Sequence, residues 1–307
     1  METFGDLVTS VYWKKALKSP GEHSPLFVFI PGNPGLADFY IPYLKKVAEE
    51  LPEYEIFCPS HLGFGTTTVE EGSVSNELPV YTLDQQIDHK VDLIHRLTRN
   101  GPRKLVIMGH SVGSWFVQRI VARLEGHPNV DTKLVGLVTP TIEHIARSDK
   151  GSKMTAAMSV VGHRSGWLAQ LLAQGLGYIP GPIMERIVRL SVPTEHGANA
   201  AYHIVRRPTV VRQFVDMGSE EMERIKEEDV PEFWDRSGPK GYNVWMFFAE
   251  KDHWVPNDTR QKLIDRHGQR PGIRVDIEKI EHSFCLKSWH LFGRLTGAVV
   301  RELGPHE

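Results

Sequence analysis

Three side chains in this 307-residue chain have the types and the order that acyl transfer asks for: a serine, then an aspartate, then a histidine. The serine stands in "LVIMGHSVGSW", Leu105 to Trp115, as Gly109-His110-Ser111-Val112-Gly113. Four apolar residues run into the motif and a helical pattern follows it. Ser111 is therefore expected on a sharp strand-to-helix turn with its hydroxyl exposed. A side chain at 109 or 113 would collide with the neighbouring helix or strand, which accounts for both glycines. The alternative is a plain turn without chemistry. A serine hydroxyl is a weak nucleophile at neutral pH; it needs a base, and the base needs an orienting carboxylate. Asp252, in "KDHWVP", and His282, in "EHSF", each follow a strand-like run, where acid and base are wanted. Glu143, in "TPTIEHI", is the rival acid, and Asp252 has a competing use as a cap for the helix near Asn257. His253 and His290 are rival bases, but one adjoins the acid and the other falls inside a helical pattern. His110 is no candidate, because a neighbour on so tight a turn points elsewhere.

The tetrahedral intermediate of such a reaction carries an oxyanion, which needs two donors already in place. One is the backbone N–H of Val112, at the start of a helix. The second is expected from the loop Pro31-Gly32-Asn33-Pro34-Gly35. Pro31 and Pro34 have no N–H, which leaves Asn33 as donor by position, with Gly32 allowing close approach. An ordinary Pro/Gly turn is the alternative. Gly32, His61 in "PSHLGFG" and Trp254 beside the acid are expected around the substrate.

These residues need a frame to converge. "LFVFI" (26–30) is a short apolar run closed by Pro-Gly, the mark of a buried parallel strand. "YEIFCP" (54–59), "KLVIMG" (104–109), "KLVGLVTP" (133–140), "YNVWMFFAE" (242–250) and "IRVDIEKI" (273–280) read as further strands. Between them lie helical patterns. The clearest is "TLDQQIDHKVDLIHRLTRN", with Leu83, Ile87, Val91, Ile94 and Leu97 on one face and a stop at Asn100-Gly101-Pro102. Alternating strands and helices imply a parallel sheet covered on both faces, one α/β domain over residues 1–307. The rhythm breaks between about 149 and 239, which reads as a helical cap inserted into a core of about 1–148 and 240–307. Within it, "SGWLAQLLAQGLGYIPGPIM" (165–184) carries no charge, with Trp167, Leu168, Leu171, Leu172 and Leu176 on one helical face. Ile183, Met184, Ile187 and Val188 form a second face near Arg186 and Arg189. Glycine and proline interrupt the segment too often for a membrane span. Two possibilities stand: a cap packed on the core, or a surface dipping into a lipid interface.

Composition narrows the classes. The formal charge is −2, so nothing suggests nucleic acid as a partner. Two cysteines, Cys58 and Cys285, fit a reducing compartment better than a disulfide framework, and neither stands in a metal-ligand spacing. The first residues lack the basic start, apolar block and cleavage site of a secretory signal. Neither metal nor organic cofactor is expected.

"FIPGNPG" followed by "FY", then "SHLGFG", "QIDHK", "GHSVGS", "PTIE", the Asp-x-Trp-x-Pro of 252–256 and "EHSF" together resemble the lipid droplet-associated hydrolase family of α/β-hydrolases. The resemblance implies an α/β-hydrolase fold and a catalytic triad of Ser111, Asp252 and His282. It also implies residence on lipid droplets and endoplasmic reticulum, on the cytosolic side, and a sterol ester or other lipid ester as substrate. The segment before Leu26 is short, so opening antiparallel strands are expected to be missing. Two other classes remain open: a lipid-droplet surface protein that hydrolyses weakly or not at all, and a lyase or acyltransferase on the same scaffold.

Overall fold

A computed structural model describes residues 9–18, 21, 23–65 and 79–305. The expectation that no signal segment is present rests on residues 1–18, of which the first eight lie outside the described residues. Seven strands form one sheet: β1 Val11–Lys14, β2 Leu26–Ile30, β3 Glu55–Pro59, β4 Arg103–His110, β5 Val130–Val138, β6 Asn243–Ala249 and β7 Ile273–Glu278. Their order is β1-β3-β2-β4-β5-β6-β7. From β3 to β7 every pairing is parallel. One antiparallel strand does open the sheet: β1 runs against β3 with Val11 opposite Pro59 and Lys14 opposite Ile56. This corrects the expectation that such strands are missing; four residues suffice to cover the β3 edge.

The central stretches of β2 to β6 are apolar and buried because both their faces are covered, whereas the edge strand β7 is mixed and partly exposed. Leu26, Val28 and Ile30 of β2 enter one hydrophobic cluster, while Phe27 and Phe29 enter another. In β4, Leu105 and Ile107 go one way and Val106 and Met108 the other. The period-2 alternation of a strand thus feeds two cores at once. α1 (Ile41–Glu50), which follows a 3-10 turn at Ala37–Tyr40, supplies the second core. α2 (Leu83–Thr98) and α3 (Val112–Arg123) supply the first. Thr82 starts α2 with a capping box: its hydroxyl accepts from Gln85 N, and Gln85 Oε1 accepts from Thr82 N.

Between β5 and β6 the chain forms helices alone. These are α4 (Asp149–Val161), α5 (Ser165–Leu176), α6 (Gly181–Ser191), α7 (Glu195–Val205), α8 (Pro208–Arg224) and the short α9 (Pro231–Asp235). α10 (Asn257–His267) and α11 (Trp289–Leu303) complete the fold, with α11 packed beside α1. α8 fastens the insertion to the core. Gln213 brackets residue 81, accepting from Tyr81 N at 2.7 Å and donating to Tyr81 O at 2.9 Å. Glu220 accepts from Leu83 N, and Arg224 forks onto Asp84.

β3 and β4 lie on opposite sides of β2. Loops leaving the carboxyl ends of β2 and β4 therefore meet at a topological switch point, where α/β sheets place their sites. Ile30 is in register with Gly109, so the loop after Ile30 and the turn at Ser111 emerge side by side.

Gln213→Leu would leave both partly buried backbone groups of Tyr81 without partners. A loss of about 2 kcal/mol in folding stability is expected, read from the midpoint of urea unfolding. An unchanged midpoint would refute the anchoring role of α8.

Candidate active site

Ser111 sits between β4 and α3 at φ +55° and ψ −124°, a backbone conformation that residues with side chains rarely adopt. The surroundings enforce it. A Cβ on Gly109 would overlap the carbonyl of Gly113, and a Cβ on Gly113 would overlap the carbonyls of Ile30 and Pro31. Ser111 N donates to Val138 O at 2.9 Å, and Ser114 Oγ donates to Gly109 O at 2.7 Å. The hydroxyl of Ser111 shares a hydrogen bond of 3.4 Å with Thr141 Oγ1. Thr141 belongs to "PTIE", and no local pattern marks its hydroxyl as a site group because the contact joins residues 30 apart in the chain.

His282 Nδ1 lies 2.7 Å from Asp252 Oδ2, and Asp252 Oδ1 accepts from the backbone N–H of Trp254 at 2.7 Å and of Val255 at 3.2 Å. Burial alone would raise the pKa of Asp252. The bond from His282 and the two N–H donors outweigh it and hold the carboxyl below its ordinary value. With Nδ1 committed to Asp252, the other ring nitrogen of His282 is left for the cavity that His282 and Ser111 both line. The rivals are elsewhere. Glu143 is buried against Arg266 at 2.5 Å, and Arg266 also holds Glu228. His253 is exposed beside Asp149, and His290 is exposed on α11.

Val112 opens α3, directly after the serine. In the facing loop, Gly32 N–H is already spent on Tyr40 Oη at 3.0 Å, which leaves the N–H of Asn33 as the next in line. The Asn33 side chain turns away to the insertion, donating to Glu221 Oε1 at 2.9 Å and to Phe214 O at 3.2 Å. Trp254 lines the cavity; His61 does not. The expectation that His61 lines the pocket is corrected. It is fully buried beneath the loop, against Phe64 and Phe116, and a Cβ on Gly35 would strike its ring. Burial, reinforced by Lys90 and His89, keeps its pKa well below the ordinary histidine value.

His110 has a task that its sequence position concealed. Gly32 N–H donates to Tyr40 Oη, and Tyr40 O–H donates to His110 Nδ1 at 2.7 Å. His110 Nε2–H then donates to the backbone carbonyl of His282 at 2.9 Å. A single neutral tautomer satisfies the whole relay. Burial, aided by nearby His282, lowers the pKa of His110 to about 3 and keeps it neutral.

The cavity has a volume of about 260 Å³. Its apolar wall includes Phe39, Ile145, Met154, Phe214, Met222 and Leu286, with Glu221 the one acidic side chain among the described lining residues. Among the described residues no group of three or more His, Cys, Asp and Glu is set to hold a metal ion.

A family model described as lipid-droplet associated hydrolase matches residues 23–285. The chain belongs to the lipid-droplet associated hydrolase family. Among its relatives, the lipid droplet-associated hydrolase of Gallus gallus is 25% identical over 287 residues, 89% of this chain and 84% of that one. That of Homo sapiens is 23% identical over 291 residues, 90% and 83% of the two chains. Two solved structures show the α/β-hydrolase fold to which the chain conforms. The 2-hydroxy-6-oxo-6-phenylhexa-2,4-dienoate hydrolase of a Rhodococcus strain has a TM-score of 0.60 and 20% identity, covering 97% of this chain and 96% of its own. The thioesterase domain from the curacin biosynthetic pathway has a TM-score of 0.60 and 11% identity, covering 96% of each chain.

In this family member the geometry sets Asp252 against Glu143. Asp252→Asn should lower kcat on a small ester by on the order of 10⁴, and Glu143→Gln by less than about threefold. The reverse ranking would move the orienting acid to Glu143.

Proposed function

We propose that this protein is a serine hydrolase that cleaves carboxylic esters of lipids, a sterol ester or another lipid ester, through an acyl-enzyme. The observation that carries this is the 2.7 Å contact of Asp252 with His282 at a cavity shared with a strained, helix-capping serine. In the proposed cycle His282 takes the proton of Ser111 Oγ as that oxygen attacks the ester carbonyl. The N–H groups of Val112 and Asn33 receive the oxyanion. His282 then gives its proton to the departing alcohol, and water releases the acid by the same steps in reverse order. Asp252 keeps the imidazole in one tautomer and stabilises its charged form. The cavity is too small for a whole lipid, so it encloses the scissile bond and its neighbours while the long chains leave through its mouth.

Among the described residues Ser111 alone has this setting. A fluorophosphonate probe should label the wild type at Ser111 and leave Ser111→Ala unlabelled, with both proteins equally stable to heat. Labelling that survives in Ser111→Ala would defeat the assignment.

We further infer that the protein works as a peripheral protein on lipid droplets and endoplasmic reticulum, from the cytosolic side. The support lies in α5. The side it turns to the protein is Gly166, Gln170 and Ala173, while its apolar side faces out: Trp167 is 53% exposed and Leu172 64%. α6 splits its apolar residues, with Met184 and Val188 inside and Ile183, Ile187 and Leu190 outside, the last 82% exposed. No described helix is long and apolar enough to cross a membrane. Arg186 and Arg189 lie at the rim, although Glu185 pairs with Arg189 at 2.8 Å and cancels part of the charge. Burial returns about 0.8 kcal/mol per methylene, so a few such side chains give reversible binding. The same face would serve a droplet protein that hydrolyses slowly, which is the second reading. Wild type should float with phospholipid-coated triacylglycerol droplets. The folded variant carrying Trp167→Ser, Leu171→Ser and Leu172→Ser should stay below. A folded triple variant that floats as well as wild type would rule out this face.

A further inference from the structure

Glu221 is a carboxyl group in a place where a charge is poorly served. It lies on α8, 4% exposed, on the same face as Phe214, Gly218 and Met222, and all four line the cavity. No lysine or arginine is among the described lining residues. Its one donor is Asn33 Nδ2, 2.9 Å from Oε1. The amide of Asn33 is fixed in that sense because the same nitrogen also donates to Phe214 O at 3.2 Å. Oε1 is thus an acceptor, and a proton on this carboxyl belongs on Oε2, the other oxygen of a side chain that lines the cavity. A carboxylate with a single donor in an apolar wall is costly to keep ionised, whereas the acid is not.

Resting on the ester-hydrolase reading, we propose that Glu221 is a specificity-determining residue whose neutral carboxyl donates a hydrogen bond to a second, acceptor oxygen of the substrate. The preferred class is then esters with another ester or ether oxygen a few bonds from the scissile carbonyl, as in acylated glycerols. Esters with hydrocarbon on both sides, sterol esters included, are disfavoured. The small cavity supports this: a group bound at Ser111 also meets the α8 wall. The titration agrees, since burial raises the pKa of Glu221 to about 8 against the opposing bond from Asn33, with Glu220 adding to the rise.

Glu221 has Glu220 beside it on its own helix and shares the cavity wall with the titratable groups Tyr40, His110, His282 and Cys285; α5, packed behind α8, has none, and Asp149, Lys150 and Lys153 of α4, which reaches the wall at Met154, are exposed. Tyr40 and Cys285 are both raised by burial, Cys285 to about 12, and His110 is lowered to about 3, so these three do not change charge near pH 8. The neutral, donating form of Glu221 is present below that pH and is lost as pH rises through it.

The test uses the full chain carrying Ser111→Ala, so that esters bind without turnover. Calorimetry compares 2-methoxyethyl butyrate with butyl butyrate, which differ by one ether oxygen in place of a methylene. At pH 6.5 the methoxyethyl ester should bind about tenfold more tightly, the worth of one hydrogen bond to a buried acid. By pH 9.5 that preference should vanish. Glu221→Gln, which keeps an N–H donor and cannot ionise, should retain the preference at both pH values. Glu221→Leu should abolish it while circular dichroism stays native. Equal affinities at pH 6.5, a preference that persists in Glu221→Leu, or no measurable binding of either ester would each overturn the proposal. Hydrolysis of butyl butyrate by the wild type is scored separately and reports on the hydrolase reading alone.

Discussion

The backbone of Ser111 is held at φ +55° by contacts that leave it no other conformation, and the site is assembled around that constraint. A non-glycine residue in this region costs on the order of 1–3 kcal/mol, and it persists only where the surroundings over-determine it. Here they do. The Gly109 and Gly113 backbones touch where side chains would stand, and the start of α3 is pressed against the end of β2. Because Ile30 and Gly109 are in register, that pressure also fixes where the loop from Pro31 to Gly35 begins. The serine, the first N–H of α3 and the candidate donor at Asn33 are consequently placed by one piece of packing rather than by three separate devices.

The loop that carries His282 is tied to the same point by the ring of His110. Its two nitrogens reach the Tyr40 hydroxyl, and through it the Gly32 N–H, on one side and the carbonyl of His282 on the other. A charged imidazole would lack an acceptor for its second proton on the Tyr40 side, so the relay works only with a neutral ring. Burial against Phe284 and Tyr40 secures that. The rings of His110 and His282 are neighbours with centroids 5.0 Å apart, and only that of His282 has the Asp252 carboxylate hydrogen-bonded to it.

Much of this was legible in the residues. The candidates Ser111, Asp252 and His282 are legible because each follows a strand, an apolar run for the first two and the alternating Ile273–Glu278 for the third, and loops at the carboxyl ends of such strands are where chemistry is placed. What stayed hidden depends on contacts between residues far apart in the chain. Periodicity shows that α5 has an apolar face but not which way the face points. That is decided by α8, where a Cβ on Gly166 would strike Asp216, so the small side of α5 has to lie inward. Likewise the sequence offers His61 beside the sheet edge, and only the packing of Gly35 over its ring shows that it lies beneath the loop rather than in the cavity. The bond from Asn33 to Glu221 spans 188 residues, and no local pattern encodes it.

α8 explains why an outward apolar face and an ester-sized cavity belong together. Its residues divide into three rows. Gln213, Glu220 and Arg224 hold the core through residues 81–84. Asp216 and Ser219 meet α5 at Gly166 and Ser165. Phe214, Gly218, Glu221 and Met222 form cavity wall. One helix therefore stands between the outward apolar face of α5 and Ser111, held by polar bonds to residues 81–84 at the start of α2. A displacement of α5 would reach the cavity through α8, where the anchors at 213, 220 and 224 resist it, and through the turn at Gly162–Arg164 to Met154 of α4. The α8 wall of the cavity is thus fixed by its bonds to the core and not by the outward face of α5.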